Sequence, residues 1–89
     1  MPPARKGEWS VYMLRCGDGS IYTGIAKNVA ARLKKHGQGK GAAYTRAHLP
    51  VKLLRQEPNL TRSEALIREA QIKRLPLLAK RKLVSGKSK

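Results

Sequence analysis

The sequence predicts a small α/β protein of the α+β kind, in which helices pack on a small, mostly antiparallel sheet. The chain has 89 residues, a length that suits one domain. Hydrophobic residues make up 40% of it, which is enough for one compact core. Segments of β-prone character and segments of helical periodicity follow one another in the order β-β-α-β-α-α. Such an order places helices against an antiparallel sheet.

Three segments are typical of β-strands. Residues 9–16 (WSVYMLRC) are rich in aromatic and other β-prone residues, and residues 21–25 (IYTGI) follow the turn cluster 17–20 (GDGS). These two segments are predicted to pair as a hairpin. Residues 51–57 (VKLLRQE) form the third predicted strand, which we expect to end at Pro58.

Three segments are typical of helices. They cover residues 29–36, 61–75 and 77–84. Asn28 is a suitable N-cap for the first helix, and Thr61 and Glu64 have the spacing of a capping box for the second. Pro76 separates the second helix from the third. Residues 37–48 are predicted to form a glycine-rich, basic loop between the first helix and the third strand.

Charge is the strongest compositional signal. Lys and Arg number 20 against 5 Asp and Glu, so the net charge is +15, and both halves of the chain share the excess. Such a field attracts polyanions, and nucleic acid is the partner we expect. A solvated surface without a partner is the alternative explanation.

The remaining composition bears on the compartment and the class of protein. The lone Cys16 predicts no disulfide framework and a reducing compartment, the cytoplasm. With only His36 and His48 beside that cysteine, a structural zinc site is not expected. No apolar run approaches the roughly 20 residues of a membrane span. Residues 1–7 are predicted to be a flexible lead without a secretory signal, residues 8–84 the single domain, and residues 85–89 a basic, frayed tail.

Acidic residues are too few and too scattered for a two-metal site. The whole chain offers Glu8, Asp18, Glu57, Glu64 and Glu69. Two-metal chemistry needs several acidic ligands around ions about 4 Å apart, so one metal with one carboxylate, or no metal, is expected. Glu69 is distinctive because it shares a helical face with Ala65, Leu66 and Ile72. A charge in such a stripe is either a metal ligand or the partner of a cation, with Lys73 the nearest in sequence.

Four further side chains are candidates for chemistry. Arg32 and His36 follow Val29 and Leu33 at helical spacing, so we place both on the inward face of the first helix. Arg32 could clamp a phosphate and His36 could relay a proton, or the two could be a snorkelling side chain and a helix-dipole partner. Tyr12 and Tyr22, one on each hairpin strand, are either core residues or phenols of an active site.

These residues, in this order, resemble the GIY-YIG nuclease family. The half-motifs are residues 10–12 (SVY) and 22–24 (YTG), followed by an Arg-x-x-x-His pair on one helix and a Glu on a later one. Residues 41–46 (GAAYTR) and the sequence around Glu69 are similar to the small stand-alone bacterial branch of the family (UPF0213-like). In this chain Ser and Thr replace the usual Gly and Ile of the half-motifs. The Asn that some members use beyond the Glu is absent.

The resemblance implies a three-stranded antiparallel sheet flanked by helices, and one-metal hydrolysis of phosphodiester bonds in DNA, with RNA as a second substrate. It implies that Glu69 binds one Mg²⁺ or Mn²⁺ ion against the scissile phosphate and that Tyr12 helps to activate the attacking water. Tyr22 and His36 would support proton transfer and position the phosphate. Arg32 would neutralise developing charge. Further residues expected at the nucleic acid are Lys27, Lys35, Lys40, Tyr44, Arg46 and Lys73.

The shared site makes a demand on the hairpin. A two-residue loop at Asp18-Gly19 would place Tyr12 and Tyr22 on opposite faces of the sheet. A three-residue loop or a G1-type bulge near Gly19 places both phenols, with Gly24, on one face. We therefore predict the second arrangement.

Two other functions stay open at this point. The same charge and fold would serve a non-catalytic nucleic-acid-binding module, associated with repair or with ribosomes. A membrane-surface protein is the third hypothesis, because the basic segment 77–89 could lie on anionic lipid. The inward position expected for Glu69 favours the nuclease, since binding alone does not require it.

Overall fold

The computed structural model describes residues 7–85, so the predicted tail lies mostly, and the predicted lead almost wholly, outside the described residues. The elements are β1 (Trp9–Arg15), β2 (Ile21–Ala26), α1 (Val29–Gly37), α2 (Ala43–Ala47), β3 (Lys52–Leu60), α3 (Arg62–Lys73) and α4 (Leu77–Ser85). The three strands form one antiparallel sheet in the order β2-β1-β3. The predicted α+β class and its three-stranded antiparallel sheet are therefore confirmed.

One predicted strand end and one predicted loop were wrong. The third strand does not end at Pro58 but continues to Leu60. The sheet tolerates this proline because β3 is an edge strand with a register shift at this end, where Asn59 adopts a φ of 68°. The predicted loop 37–48 contains α2, which is only 5 residues long and therefore too short to show helical periodicity.

The hairpin register agrees with the prediction. Arg15 lies opposite Ile21, and the Cys16 amide donates to the Ser20 carbonyl oxygen over 2.9 Å. Three residues therefore form the loop, and the third, Gly19, has a φ of 88°. A left-handed residue at this position is the G1 arrangement. Tyr12, Tyr22 and Gly24 consequently share one face of the sheet.

Each face of the sheet carries its own hydrophobic cluster. On one face Val11 and Met13 pack against Ala65 and Ile72 of α3. On the other face Tyr12 and Leu14 pack with Ala26 and with Val29 of α1. The sheet thus lies between α3 on one side and α1 on the other, and Tyr12 belongs to the α1 side.

The helix starts follow the sequence rules, with one correction to the predicted face of α3. Asn28 caps α1 by accepting from the Ala31 amide at 3.0 Å, and Thr61 with Glu64 forms the capping box of α3. Leu66, however, was expected on the apolar face and is 39% exposed, so the buried stripe of α3 is narrower than predicted.

A half-buried ion pair fastens α3 to the sheet. Arg68 of α3 donates from Nε to Oε1 of Glu57 at 2.8 Å, and Arg55 donates to the other oxygen at 3.0 Å. Hydrogen bonding to Arg68 holds the pKa of the Glu57 carboxyl below its usual value. Glu57 lies inside β3. The shorter predicted strand had placed this residue at the strand end. Across residues 7–85, no helix combines the length and the apolar character needed to cross a bilayer.

Candidate active site

A buried tyrosine–histidine pair lies at the centre of the candidate site. Tyr12 Oη and His36 Nε2 are 3.0 Å apart, and each residue is only 1% exposed. Tyr22 completes the group, with its ring centroid 6.4 Å from that of Tyr12 and 5.4 Å from that of His36. The three-residue hairpin loop places the two phenols on the same face of the sheet. His36, four residues after Arg32 on α1, lies on the helix face that packs against them. His36 is therefore no exposed helix-dipole partner.

The second nitrogen of His36 has a partner that the sequence did not reveal. Thr45 Oγ1 lies 2.7 Å from His36 Nδ1, and the same hydroxyl donates to the Ala42 carbonyl oxygen at 2.9 Å. Gly41 packs so closely on the imidazole that a Cβ would lie 2.2 Å from Nδ1. No local pattern marks Thr45, because its contact with His36 depends on the path of the intervening chain.

An open, cationic cleft of about 340 Å³ lies over His36. Its polar lining consists of Tyr22, Arg32, Lys35, His36 and Lys40. Three positive side chains and no carboxylate face this space, so it suits an anion of phosphate size. Arg32 was expected on the inward face of α1, but the residue is exposed and lies on the rim of the cleft. The apolar stripe of α1 is interrupted there because the cleft, rather than packed side chains, lies opposite.

A second cleft of about 300 Å³ shares Arg32 and Lys35 with the first and extends it towards Trp9 and Lys27. The Lys27 ammonium lies 5.7 Å from the centroid of the Trp9 ring, within cation–π range. Of the six residues expected at the nucleic acid, Lys27, Lys35 and Lys40 therefore lie along one continuous basic surface.

The other three expected nucleic-acid contacts are arranged differently. Tyr44 is 41% exposed and stacks on Tyr22 with ring centroids 6.3 Å apart, so it continues the aromatic group outwards. Arg46 is exposed on α2 but does not line either basic cleft. Lys73 pairs with Glu69, its Nζ being 3.2 Å from Oε2, and this pair is the structural alternative that the sequence left open.

The pKa of the Tyr12 phenol reflects burial and the charges around it. The pKa of Tyr12 is raised to about 12, first by burial and next by the charge of Tyr22. Arg32 lowers it by its charge and by hydrogen bonding, whereas Glu69 raises it by its charge. Burial, with the charge of Arg32 in second place, lowers the pKa of His36, so the imidazole is neutral at neutral pH.

Glu69 influences Tyr12 through its charge alone, whereas its ion pair is with Lys73. Its side chain is 20% exposed and close enough to influence Tyr12, although it does not line the basic cleft. No group of three or more His, Cys, Asp or Glu side chains within residues 7–85 is placed to hold a metal ion. A single half-buried carboxylate fits Mg²⁺, because this ion is commonly bound through one or two carboxylates, water and substrate phosphate.

Taken together, these features define a small α+β protein with an anion-sized basic cleft over a buried tyrosine–histidine pair. Residues 8–81 match the family described as the GIY-YIG catalytic domain, and the chain belongs to that family.

Individual relatives agree with this assignment. The chain is 51% identical over 74 residues to a UPF0213 protein of Staphylococcus epidermidis, covering 83% of this chain and 90% of the relative. It is 56% identical over 63 residues to a UPF0213 protein of Staphylococcus aureus, covering 71% of this chain and 77% of that one.

Two solved structures are also similar. The solution NMR structure of the UPF0213 protein BH0048 from Bacillus halodurans has 43% identity and a TM-score of 0.56, over 86% of this chain and 82% of that one. That of the protein EF2693 from E. faecalis has 35% identity and a TM-score of 0.57, over 92% and 90%.

Proposed function

We propose that this protein is a metal-dependent nuclease that hydrolyses phosphodiester bonds in DNA, with RNA as a second substrate. One observation carries the proposal: Tyr12, Tyr22 and His36 converge under a cleft whose rim holds Arg32. The charge of Glu69 also reaches Tyr12. A protein that only binds nucleic acid would not need a buried proton-handling pair beneath its phosphate-sized space.

The basic clefts would bind the substrate backbone. Arg32, Lys35 and Lys40 surround the first cleft, and Lys27 lies on its extension, so the scissile phosphate and one neighbouring phosphate each find cations. Arg32 presents a planar fork to the phosphoryl oxygens and would offset the negative charge that grows on them in the transition state.

Tyr12 and His36 would handle the proton of the attacking water. Because the pKa of Tyr12 is about 12, its phenolate is rare near neutral pH, and the phenol needs an acceptor for its own proton. His36 Nε2 lies 3.0 Å away and is neutral. As water attacks phosphorus, its proton passes to Tyr12 Oη while the phenolic proton passes to His36 Nε2. The P–O bond to the leaving group breaks in the same displacement.

Glu69 is the residue that would hold the metal ion. When bound, Mg²⁺ or Mn²⁺ would supply Lewis-acid stabilisation of charge on the phosphoryl and leaving oxygens. For this, the carboxylate must exchange its contact with Lys73 for the ion, and Lys73 is 53% exposed and therefore free to turn towards solvent or a phosphate.

The test compares the metal-dependent cleavage rates of the wild type and of Glu69→Gln. Plasmid, single-stranded and branched DNA, together with RNA, are incubated with Mg²⁺, with Mn²⁺ or with EDTA. We expect Glu69→Gln to lower the rate by at least ~100-fold and to leave binding in EDTA unchanged. Glu8→Gln is the matched control, because it removes the same charge from a side chain that is 82% exposed and is not among the charges that shift the pKa of Tyr12.

Arg32→Ala should also abolish cleavage, since it removes the fork at the rim of the cleft. Cleavage that survives both substitutions would come from elsewhere or from a contaminant and would refute this active site. A wild type that does not cut, but binds in a salt-dependent way that ignores divalent metal, would instead be a basic nucleic-acid-binding module. We further infer a cytoplasmic location, supported by the unbridged, buried Cys16 thiol, which a reducing compartment keeps intact.

A further inference from the structure

We propose that Thr45 is a positioning residue that holds His36 in the tautomer with its proton on Nδ1, so that Nε2 is free to accept the proton of Tyr12. The catalytic consequence rests on the proposed nuclease function, whereas the tautomer itself does not. Thr45 is fully buried on α2, and its hydroxyl contacts His36 Nδ1 at 2.7 Å.

Counting protons gives the direction of this chain of hydrogen bonds. The Thr45 hydroxyl has one proton and donates it to the Ala42 carbonyl oxygen at 2.9 Å. It can then only accept from His36, so Nδ1 must carry the ring proton. A neutral imidazole protonated at Nδ1 has a lone pair at Nε2, and Tyr12 Oη, 3.0 Å away, donates to it. Every polar side-chain atom in this series of hydrogen bonds is thereby satisfied.

The opposite direction leaves protons without acceptors. If Thr45 donated to Nδ1, then Nε2 would carry the proton and would donate to Tyr12 Oη. The phenolic proton would have to point elsewhere, and Arg32, the other side chain that hydrogen-bonds this phenol, is a donor only. An unplaced hydroxyl proton in a buried site is costly, so the first direction is favoured.

The neighbouring residues hold the His36 ring in place, so it keeps its hydrogen bond to Thr45. Gly41 lies against the ring so closely that a Cβ would come within 2.2 Å of Nδ1. The Tyr22 ring lies on another side, 5.4 Å away between centroids. His36 and Thr45 are 1% and 0% exposed, so water cannot readily take the place of the Thr45 hydroxyl.

The arrangement also suits the reaction. When Nε2 accepts the proton of Tyr12, the imidazole becomes a cation that still donates from Nδ1 to Thr45. No group has to rotate during the transfer, because the Thr45 oxygen accepts in both states. Loss of the threonine hydroxyl would free the ring to adopt the other tautomer, which cannot take the phenolic proton.

The deciding experiment is ¹⁵N NMR of the histidine rings at neutral pH in the wild type, Thr45→Ser and Thr45→Val. We expect a pyrrole-like Nδ1 and a pyridine-like Nε2 for His36 in the wild type and in Thr45→Ser. In Thr45→Val the two nitrogens should move towards the averaged shifts of mixed tautomers. His48 is an internal control, because its Nδ1 donates to the Tyr44 carbonyl oxygen at 2.7 Å and should not change if α2 stays folded.

Cleavage kinetics give the second readout. We expect Thr45→Val to lower kcat by about 10- to 100-fold with little change in KM, and Thr45→Ser to recover most of it. Protonation of His36 at Nε2 in the wild type, or an unchanged tautomer in a folded Thr45→Val, overturns the proposal. If Thr45→Val does not fold, the wild-type and Thr45→Ser spectra decide alone. If the wild type does not cut any nucleic acid, the nuclease fails while the tautomer is still decided by the spectra.

Discussion

The phenol of Tyr12 lies directly over Gly24 on the neighbouring strand. The two residues are paired across the β1–β2 ladder, and a Cβ on Gly24 would lie 2.6 Å from Tyr12 Oη and 2.8 Å from Cζ. Both distances are too short for any side chain. The absence of a side chain at Gly24 is what allows the phenolic oxygen to reach His36 Nε2.

Gly24→Ala should therefore displace the phenol by the better part of an ångström. A shift of about 1 Å in a reacting group can cost roughly 100-fold in rate, and we expect a loss of that order in cleavage assays. Gly37→Ala is the matched control, because nothing lies within 4 Å of a Cβ there and alanine favours the end of α1. Equal activities of the two variants would disprove the close approach.

Most of the fold could be predicted from local sequence rules. Capping residues and residue periodicity placed the strands and helices, whereas the face shared by Tyr12 and Tyr22 was predicted from the demand of the shared site, because the hairpin sequence allowed two loop lengths. Helical spacing placed His36 one turn after Arg32. Such features depend on neighbours a few residues apart, and the physics of a turn or a helix decides them.

What the sequence missed depends on contacts between distant segments. The role of Thr45 required the path of the chain between α1 and α2. Predicting the exposure of Arg32 would have required knowing that a cleft lies opposite that turn of α1. For Glu69, helical spacing could not decide between a metal ligand and an ion pair with Lys73, because both use the same face of α3.

Acid should destabilise the protein through His36. Burial and the charge of Arg32 lower the pKa of His36 below the ordinary histidine value of 6.5. The unfolded chain therefore binds this proton first as the pH falls, and stability decreases from pH 6.5 down to the folded pKa. The slope reaches at most about 1.4 kcal/mol per pH unit.

Urea unfolding of the wild type and His36→Gln between pH 7.5 and pH 5 measures this effect. The free energy of unfolding of the wild type should fall below pH 6.5 more steeply than that of the variant, which lacks the group. Parallel curves in this window would mean that His36 titrates normally in the folded protein.

Cleavage should persist below pH 6.5 because the lowered pKa of His36 keeps the imidazole neutral there, and it should be lost once the imidazole is protonated.

Thr23 is the buried residue that we expect to be replaceable with a gain in stability. Among the buried side-chain oxygens and nitrogens of residues 7–85, Thr23 Oγ1 has no hydrogen-bond partner, although the residue is only 2% exposed. Removing an unsatisfied hydroxyl while keeping the branched shape should stabilise by about 1 kcal/mol, so Thr23→Val should raise the urea midpoint.

Thr45→Val is the matched control for this substitution, since the Thr45 hydroxyl both accepts and donates. That variant should lose roughly 1–3 kcal/mol of stability. A loss of similar size in Thr23→Val would indicate that a water molecule satisfies the Thr23 hydroxyl.

Lys34 and Lys35 are adjacent, exposed residues of α1 that should differ in their effect on nucleic-acid binding. Lys35 lines both basic clefts, whereas Lys34 lines neither of them. Each alanine variant lowers the net charge by one, so a general field effect is the same in both. We expect Lys35→Ala to reduce the slope of log K against log salt concentration by about 1, because one phosphate contact is lost, and Lys34→Ala to leave it nearly unchanged. Fluorescence anisotropy titrations of duplex DNA in EDTA, at a series of salt concentrations, measure the slopes without cleavage. Equal slopes for the two variants would show that the clefts do not hold the DNA backbone.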